Sequence, residues 1–169
     1  YVILFSQMVP HVLLLIPMYI VLRDVGLLDT HLGLIIAYLS FVMPFCVWMI
    51  KGFFDTIPVS LDESALIDGC TRVGALFRVI LPIAAPGVVA TALFAFILCW
   101  NEYLFASVLL SRSRMWTLPI GLMSFTTEYK TEWNNIMAAS VIVTIPVIAF
   151  FLWLQKYLVR GFTAGAVKG

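Results

Sequence analysis

Val79–Asn101 reads VILPIAAPGVVATALFAFILCWN, 23 residues without one Asp, Glu, Lys or Arg. A helix rises about 1.5 Å per residue, so such a run covers the roughly 30 Å hydrocarbon core of a bilayer. Three more runs lack charge: Tyr1–Leu22, Leu32–Ile50 and Trp133–Gln155, of 22, 19 and 23 residues. Lipid offers the backbone no hydrogen-bond partner, so each is expected to be a helix. The third run is expected to continue past Glu102 to about Leu110, because Tyr103–Leu110 is again apolar. The fold class is therefore all-α, a polytopic membrane helical bundle. One domain, 1–169, is expected to hold four spans at about 1–22, 32–50, 84–110 and 133–156.

Composition points the same way. Hydrophobic residues make up 63% of the chain and charged residues 11%, where soluble domains carry roughly 25% charged. A soluble fold of this length has too little interior to hide that much apolar side chain. A formal charge of +1 lacks the basic excess of a nucleic-acid binder, so no nucleic acid is expected as a partner. The aromatic content of 14% excludes disorder. Cys46, Cys70 and Cys99 show no short pairing or metal spacing and read as small apolar side chains. The chain starts at Tyr1 and runs straight into apolar residues with no basic segment, so a cleavable signal is not indicated. A native N-terminal part is expected to precede it.

A fifth uncharged run, Met115–Thr127, is 13 residues long with Pro119 and Gly121 near its middle. It is too short to span and is expected to be a loop helix or interfacial segment. Pro10, Pro17, Pro44 and Pro146 fall within the spans and are expected to kink them. Proline is also simply commoner in membrane helices than in soluble ones. Four together favour a bundle that lines something or moves. Because successive spans alternate direction, the long connection between spans two and three shares a side with the C-terminal tail. That side carries Lys51, Arg72, Arg78, Lys156, Arg160 and Lys168, against Arg23, Arg112, Arg114 and Lys130 on the other. Six against four places the long loop and the C-terminus in the cytoplasm.

The loop at about 51–82 is the most informative part. Ser60-Leu61-Asp62-Glu63 after Pro58 fits a capping box that starts a short helix, ending near Gly69. Val73, Leu76, Phe77 and Ile80 recur at helical spacing and predict a second helix, which Pro82 ends or hands to the next element. Ser64, Ala65, Gly69, Gly74 and Ala75 are small enough to admit another backbone. The hairpin could equally rest on lipid headgroups.

Glu63-Ser64-Ala65-Leu66-Ile67-Asp68-Gly69-Cys70 followed by Phe77-Arg78-Val79-Ile80-Leu81-Pro82 resembles the E-A-A-x-x-D-G-A … F-x-x-I-x-L-P loop of ABC importer permeases. The resemblance is greatest to the carbohydrate-uptake, maltose-type branch. Ser64 and Cys70 replace two alanines and keep the residues small. Gly26–Thr30, Phe53–Pro58, Trp100–Glu102 and the closing Gly161–Gly169 match as well, so the likeness covers nearly the whole chain. It implies that the loop docks in a groove of a cytoplasmic ATPase dimer, with Glu63, Ser64, Ala65, Asp68 and Gly69, and the following Leu81 and Pro82, as coupling residues. It implies that the tail at Gly165, Lys168 and Gly169 reaches the ATPase subunits. It also implies a second permease subunit, identical or different, an extracytoplasmic solute-binding protein, and two spans before the first one seen here. The membrane implied is the bacterial or archaeal plasma (inner) membrane.

Glu102 is the one ionisable group flanked on both sides by membrane-length apolar sequence. A carboxylate at the helix centre costs about 2.5–3.5 kcal/mol on insertion scales, so it should face protein or a water path. Trp100, Asn101 and Glu102, with Tyr103, offer hydrogen bonds and an aromatic surface suited to a polyhydroxylated solute on a translocation path. Alternatively, Glu102 sits near the outer interface and ties two helices together. His11, one turn after Gln7, reads as an interhelical hydrogen-bonding residue. His31 reads as a capping or surface residue.

No G-x-x-x-x-G-K-[ST], H-E-x-x-H or G-x-S-x-G motif occurs, so no catalytic residue, metal ligand or cofactor is assigned and ATP hydrolysis falls to a partner. The expected protein is a sugar or oligosaccharide permease subunit working by alternating access. A secondary transporter or channel subunit without an ATPase is the alternative. That alternative would explain the spans and Glu102 but not the capped cytoplasmic helix pair.

Overall fold

The computed structural model describes residues 10–166, and the side chains of 10–156. Its described residues are helical but for turns and an isolated antiparallel bridge between Thr126 and Thr131. A 3-10 turn, His11–Leu14, leads into α1, Leu15–Asp24. The rest are α2, His31–Phe54; α3, Val59–Ile67; α4, Arg72–Trp100; α5, Leu104–Leu109; α6, Leu118–Met123; and α7, Trp133–Ala166.

Three helical stretches are long and apolar enough to cross a bilayer: His31–Phe54, Arg72–Trp100 and Trp133–Lys156. None of the last one's apolar window is buried within the chain, which suits a helix whose solvent is lipid. Residues 1–9 of the expected first span lie outside the described residues. Its remainder runs past Leu22 to take in Arg23 and Asp24, paired at 2.9 Å. Pro10 is the N-cap of the 3-10 turn and Pro17 the third residue of α1. Both sit at helix starts, where a missing N–H removes no intrahelical bond. Pro44 and Pro146 lie inside α2 and α7.

The third uncharged run differs from expectation. It does not continue as one helix to Leu110; helix α4 stops at Trp100, residues 101–103 are non-helical, and α5 resumes at Leu104. Glu102 sits in the interruption, and its side chain accepts from the Phe105 and Ala106 amides in the first turn of α5. The Met115–Thr127 segment does contain a loop helix, α6, with Pro119 in its first turn.

The helices of the 51–82 loop also form differently from their motifs. Ser60 is already the second residue of α3, whose N-cap is Pro58, and no side chain caps it. The Ser60–Glu63 capping box is therefore absent; instead the Ser60 carbonyl accepts from Ser64 Oγ at 2.7 Å. The working cap belongs to the second arm, where Thr71 Oγ1 accepts from the Gly74 amide at 3.1 Å. Pro82 does not end that arm. The helix runs on through it, after a π-turn at Leu76–Ile80 in which the Leu81 amide reaches back five residues to the Leu76 carbonyl. Pro82 lacks an N–H and its ring crowds the carbonyl of Arg78, so a wider turn just before it lets the helix pass.

The described chain divides into two compact units. The first combines residues up to Phe45 with Ala95–Ala149, and the second Cys46–Phe94 with the residues from Phe150 onward. The core of the first is Leu22, Leu34, Ala37, Phe105, Ala106, Leu109, Leu110 and Ile120. Four of these eight residues come from 105–110. In the second, Ala65 and Ala75 are buried where α3 and the start of α4 pack together. Gly87 lies against Phe53 so closely that an added Cβ would sit 2.2 Å from its ring.

Gly87→Ala should therefore destabilise the subunit by about 1–3 kcal/mol, the range for overpacking a filled interior. Gly52→Ala, where a Cβ meets nothing within 4 Å, should be neutral or stabilising by up to about 1 kcal/mol, because it removes a glycine from the last turn of α2. Unfolding midpoints of the two variants in detergent check the contrast.

Candidate functional site

Two sets of residues carry the functional expectations. The first is the hairpin of α3 and the start of α4. It is closed by a Schellman motif: the Cys70 amide bonds the Ala65 carbonyl at 3.0 Å and the Gly69 amide bonds that of Leu66 at 3.1 Å. Gly69 takes φ +85°, and a Cβ there would meet nothing within 4 Å. Its glycine is thus required by left-handed backbone, a cause distinct from the close approach expected of it. Ala65 is small for a second reason, being buried inside the hairpin.

The remaining expected coupling residues spread along the same hairpin. Glu63, Ser64 and Asp68 are exposed, Leu81 is half-buried, and Pro82 is exposed in the turn that follows. The hairpin's apolar side chains are mostly outside: Val59 is 71%, Ile67 85%, Val73 66% and Phe77 62% exposed. The Val73–Phe77 stripe is therefore not the hairpin's core. The interior is filled by the alanines, which leaves the large residues to face outward.

The second set surrounds the break after α4. Trp100 Nε1 donates to the Val143 carbonyl of α7 at 3.3 Å. Asn101 Nδ2 donates to the Ile97 carbonyl at 2.8 Å, closing the end of its own helix. Glu102 accepts three bonds. Phe105 N–H reaches Oε1 at 2.8 Å, Ala106 N–H reaches Oε2 at 3.1 Å, and the Tyr38 hydroxyl of α2 reaches Oε2 at 2.8 Å. Two orphan amides of a helix start are thereby paired with a carboxylate, which also suits the helix dipole. The structure thus brings Trp100, Asn101 and Glu102 together, each engaged with a different helix or helix end.

Sequence reasoning did not single out Tyr38, because no local pattern marks a partner 64 residues away. It matched Asp29 only as part of Gly26–Thr30, and the geometry shows what that segment does. Gly26, at φ +72°, closes α1 with a second Schellman pair, Leu27 N–H to Leu22 and Gly26 N–H to Arg23. Asp29 then sits at φ +58°, and its amide donates to the Leu109 carbonyl at the end of α5. Its carboxylate accepts from the Ser111 and Arg112 amides, and the Arg112 guanidinium returns to the Asp29 carbonyl at 3.0 Å. These amides, then the guanidinium, hold the Asp29 carboxyl below the usual carboxylate range. Helix α5 is consequently pinned at its start by Glu102 and at its end by Asp29.

His31 opens α2 at the surface, its ring nitrogen 3.2 Å from the Met115 carbonyl. His11 is exposed with its ring 5.5 Å from that of Phe41, and Gln7 lies outside the described residues. No three His, Cys, Asp or Glu side chains converge on a metal site among the described residues. Of the expected tail contacts, Gly165 lies within α7, and Lys168 and Gly169 lie outside the described residues.

Residues 1–164 match the family model described as the binding-protein-dependent transport system inner membrane component. The chain belongs to this family. With its apolar helices, that makes it a multi-pass membrane protein. It is similar to the diacetylchitobiose uptake system permease protein of Streptomyces coelicolor, 41% identical over 164 residues, 97% of this chain and 59% of that protein. It is also similar to the trehalose/maltose transport system permease protein of Thermococcus litoralis, 37% identical over 96% of this chain and 59% of that one. The trehalose transport system permease protein of Mycobacterium tuberculosis is 38% identical over 98% and 61%. Among solved structures, a bacterial ABC transporter for import of the acidic polysaccharide alginate matches with TM-score 0.69 and 28% identity, covering 84% of this chain and 55% of that one. The chain thus spans about six-tenths of the length of these relatives.

The depressed Asp29 carboxyl has a pH signature. Its contribution to stability is complete above its unfolded value and is lost as pH falls through the lower folded value. The acid limb of unfolding midpoint against pH should flatten in Asp29→Asn, which keeps an acceptor oxygen but cannot titrate. Asp29→Ala should lower the midpoint at neutral pH as well, because the Ser111 and Arg112 amides then lose their acceptor.

Proposed function

We propose that this chain is the membrane-spanning core of a permease subunit in an ATP-driven carbohydrate importer, and that the hairpin 59–80 is where a partner ATPase drives it. The observation that carries this is the hairpin itself. It is a short helix pair locked by its own Schellman motif and Thr71 cap, yet it turns Val59, Ile67, Val73 and Phe77 outward. A pair that needs no partner to hold its shape but leaves its largest apolar side chains uncovered suits insertion into a preformed groove. Glu63 and Asp68, exposed on the same hairpin, add carboxylates for a basic rim. The continuous helix Arg72–Trp100 then gives a displaced hairpin a direct covalent route into a membrane span.

The sugar assignment rests on the relatives named for diacetylchitobiose, trehalose and maltose. In this reading residues 1–9 complete a fourth span at about 1–22. The loop and C-terminus lie in the cytoplasm, and Gly165–Gly169 contact the ATPase dimer. A second permease subunit completes the bundle, and a solute-binding protein delivers sugar from outside. Solute crosses by alternating access, past the break at Trp100-Asn101-Glu102. This chain supplies the path, and ATP is hydrolysed on the partner.

Ile67→Glu tests the coupling. The side chain is 85% exposed, so the hairpin should still fold and the subunit should insert in normal amount. Burying a carboxylate in an apolar groove should lower ATP-driven uptake and stimulated ATPase activity by about tenfold or more. Gly69→Trp should do the same through the turn. Normal uptake with undiminished ATPase stimulation in both variants would refute the docking assignment.

A further inference from the structure

We propose that Tyr38 is a positioning residue for transport. By donating to Glu102, its hydroxyl fixes that carboxylate over the first amides of α5 and so sets the course of the broken third span. The proposal rests on the transport reading above, and it concerns a residue outside both the 59–80 hairpin and the Trp100–Glu102 triad.

A helix interrupted within an apolar segment exposes amides that lipid cannot satisfy. Glu102 answers for two of them, those of Phe105 and Ala106. A carboxylate on a flexible stem can meet two amides in several rotamers, and only an external contact selects one. Tyr38 supplies it. Its hydroxyl bonds Oε2, the same oxygen that takes the Ala106 amide, so the third donor fixes the plane of the carboxylate as well as its place. The ring that carries this hydroxyl is itself held: Tyr38 packs edge-on to Phe41 at 5.7 Å, and Phe41 packs on Phe105 at 5.4 Å. Phe105 is 3% exposed and Ala106 fully buried. The register of α5 against α2 is therefore set twice, by an aromatic chain and by a hydrogen bond aimed through Glu102.

Three donors now occupy Glu102, which leaves it poorly placed to bind solute directly. Its effect on transport should run through the direction of α5, and Tyr38 should share the part of that effect that depends on how the carboxylate is oriented. The two residues then behave as one unit whose loss is counted once.

The test uses the complete transporter, with its partner chains, in proteoliposomes. Radiolabelled trehalose, maltose and diacetylchitobiose serve as probes, and kinetics follow the one the wild type accumulates. In Tyr38→Phe, which preserves the ring, maximal uptake rate should fall about tenfold with KM within about twofold, the size expected for one lost bond to a charged group. Hydrogen exchange at the Phe105 and Ala106 amides should rise about tenfold in the same complex. Glu102→Gln should show the same split, and the double variant should be no worse than the weaker single. Unchanged rate and exchange in Tyr38→Phe would overturn the proposal. So would a raised KM at constant maximal rate, the mark of a solute contact, or multiplicative losses in the double variant. If Tyr38→Phe fails to assemble, the Glu102→Gln split decides between the same outcomes. Absence of ATP-dependent accumulation by the wild type would instead overturn the transport reading beneath the proposal, and is distinguished by appearing before any substitution.

Discussion

Helix α5 is six residues long, and the first unit depends on it being held at both ends by carboxylates. Glu102 takes the amides at its start, and Asp29 takes the chain that leaves its end. So short a helix has no stability of its own, since nucleation consumes what a few bonds return. Clamped, it delivers Phe105, Ala106, Leu109 and Leu110 into a common core with Leu22, Leu34 and Ala37. Each clamp also reaches a second element: Tyr38 on α2 joins the first, and the turn between α1 and α2 supplies the second. The apolar core and the polar clamps are thus one arrangement. Removing either leaves the other without a fixed frame.

The hairpin of α3 and the start of α4 follows a contrary logic. Its interior is made of alanines and its turn of a left-handed glycine, so little apolar area is spent on holding it together. Local hydrogen bonding takes over that task. Thr71 caps one arm and the Schellman pair ends the other. The large apolar side chains are then left for an outside surface, at a site where a buried core of the ordinary kind would have consumed them. The π-turn before Pro82 completes the design by letting a proline sit within a helix that continues into the bilayer. A wider turn costs less there than an end to the helix.

Much of this was legible in the residues. Uncharged runs located the long helices, because the absence of charge reports the solvent directly. The loop helices were legible as elements, but their caps were not: Ser60 and Glu63 have the right spacing, yet Pro58 starts the helix two residues sooner and Thr71 caps the other arm. Gly69 stood out both as the end of that helix and as a small residue, and the structure bears on the first. Its small size suggests a visitor's approach, whereas its φ reveals a backbone demand. Glu102 was legible as costly and therefore functional or partnered. Its partner Tyr38 was not, since a tyrosine in an apolar helix carries no sign of where its hydroxyl points.

By itself the sequence determined that the chain lives in lipid, that it is helical, and that its densest cluster of charge, seven of nineteen charged residues, falls in one loop. Those follow from composition and spacing, which act through solvent and local backbone alone. Only the tertiary structure decided that α4 ends at Trp100 instead of running on to Leu110, that Asp29 and Glu102 clamp the same short helix, and that alanines rather than Val73 and Phe77 fill the hairpin. Each of those outcomes depends on which groups meet in space, and such neighbours are set by folding rather than by local spacing.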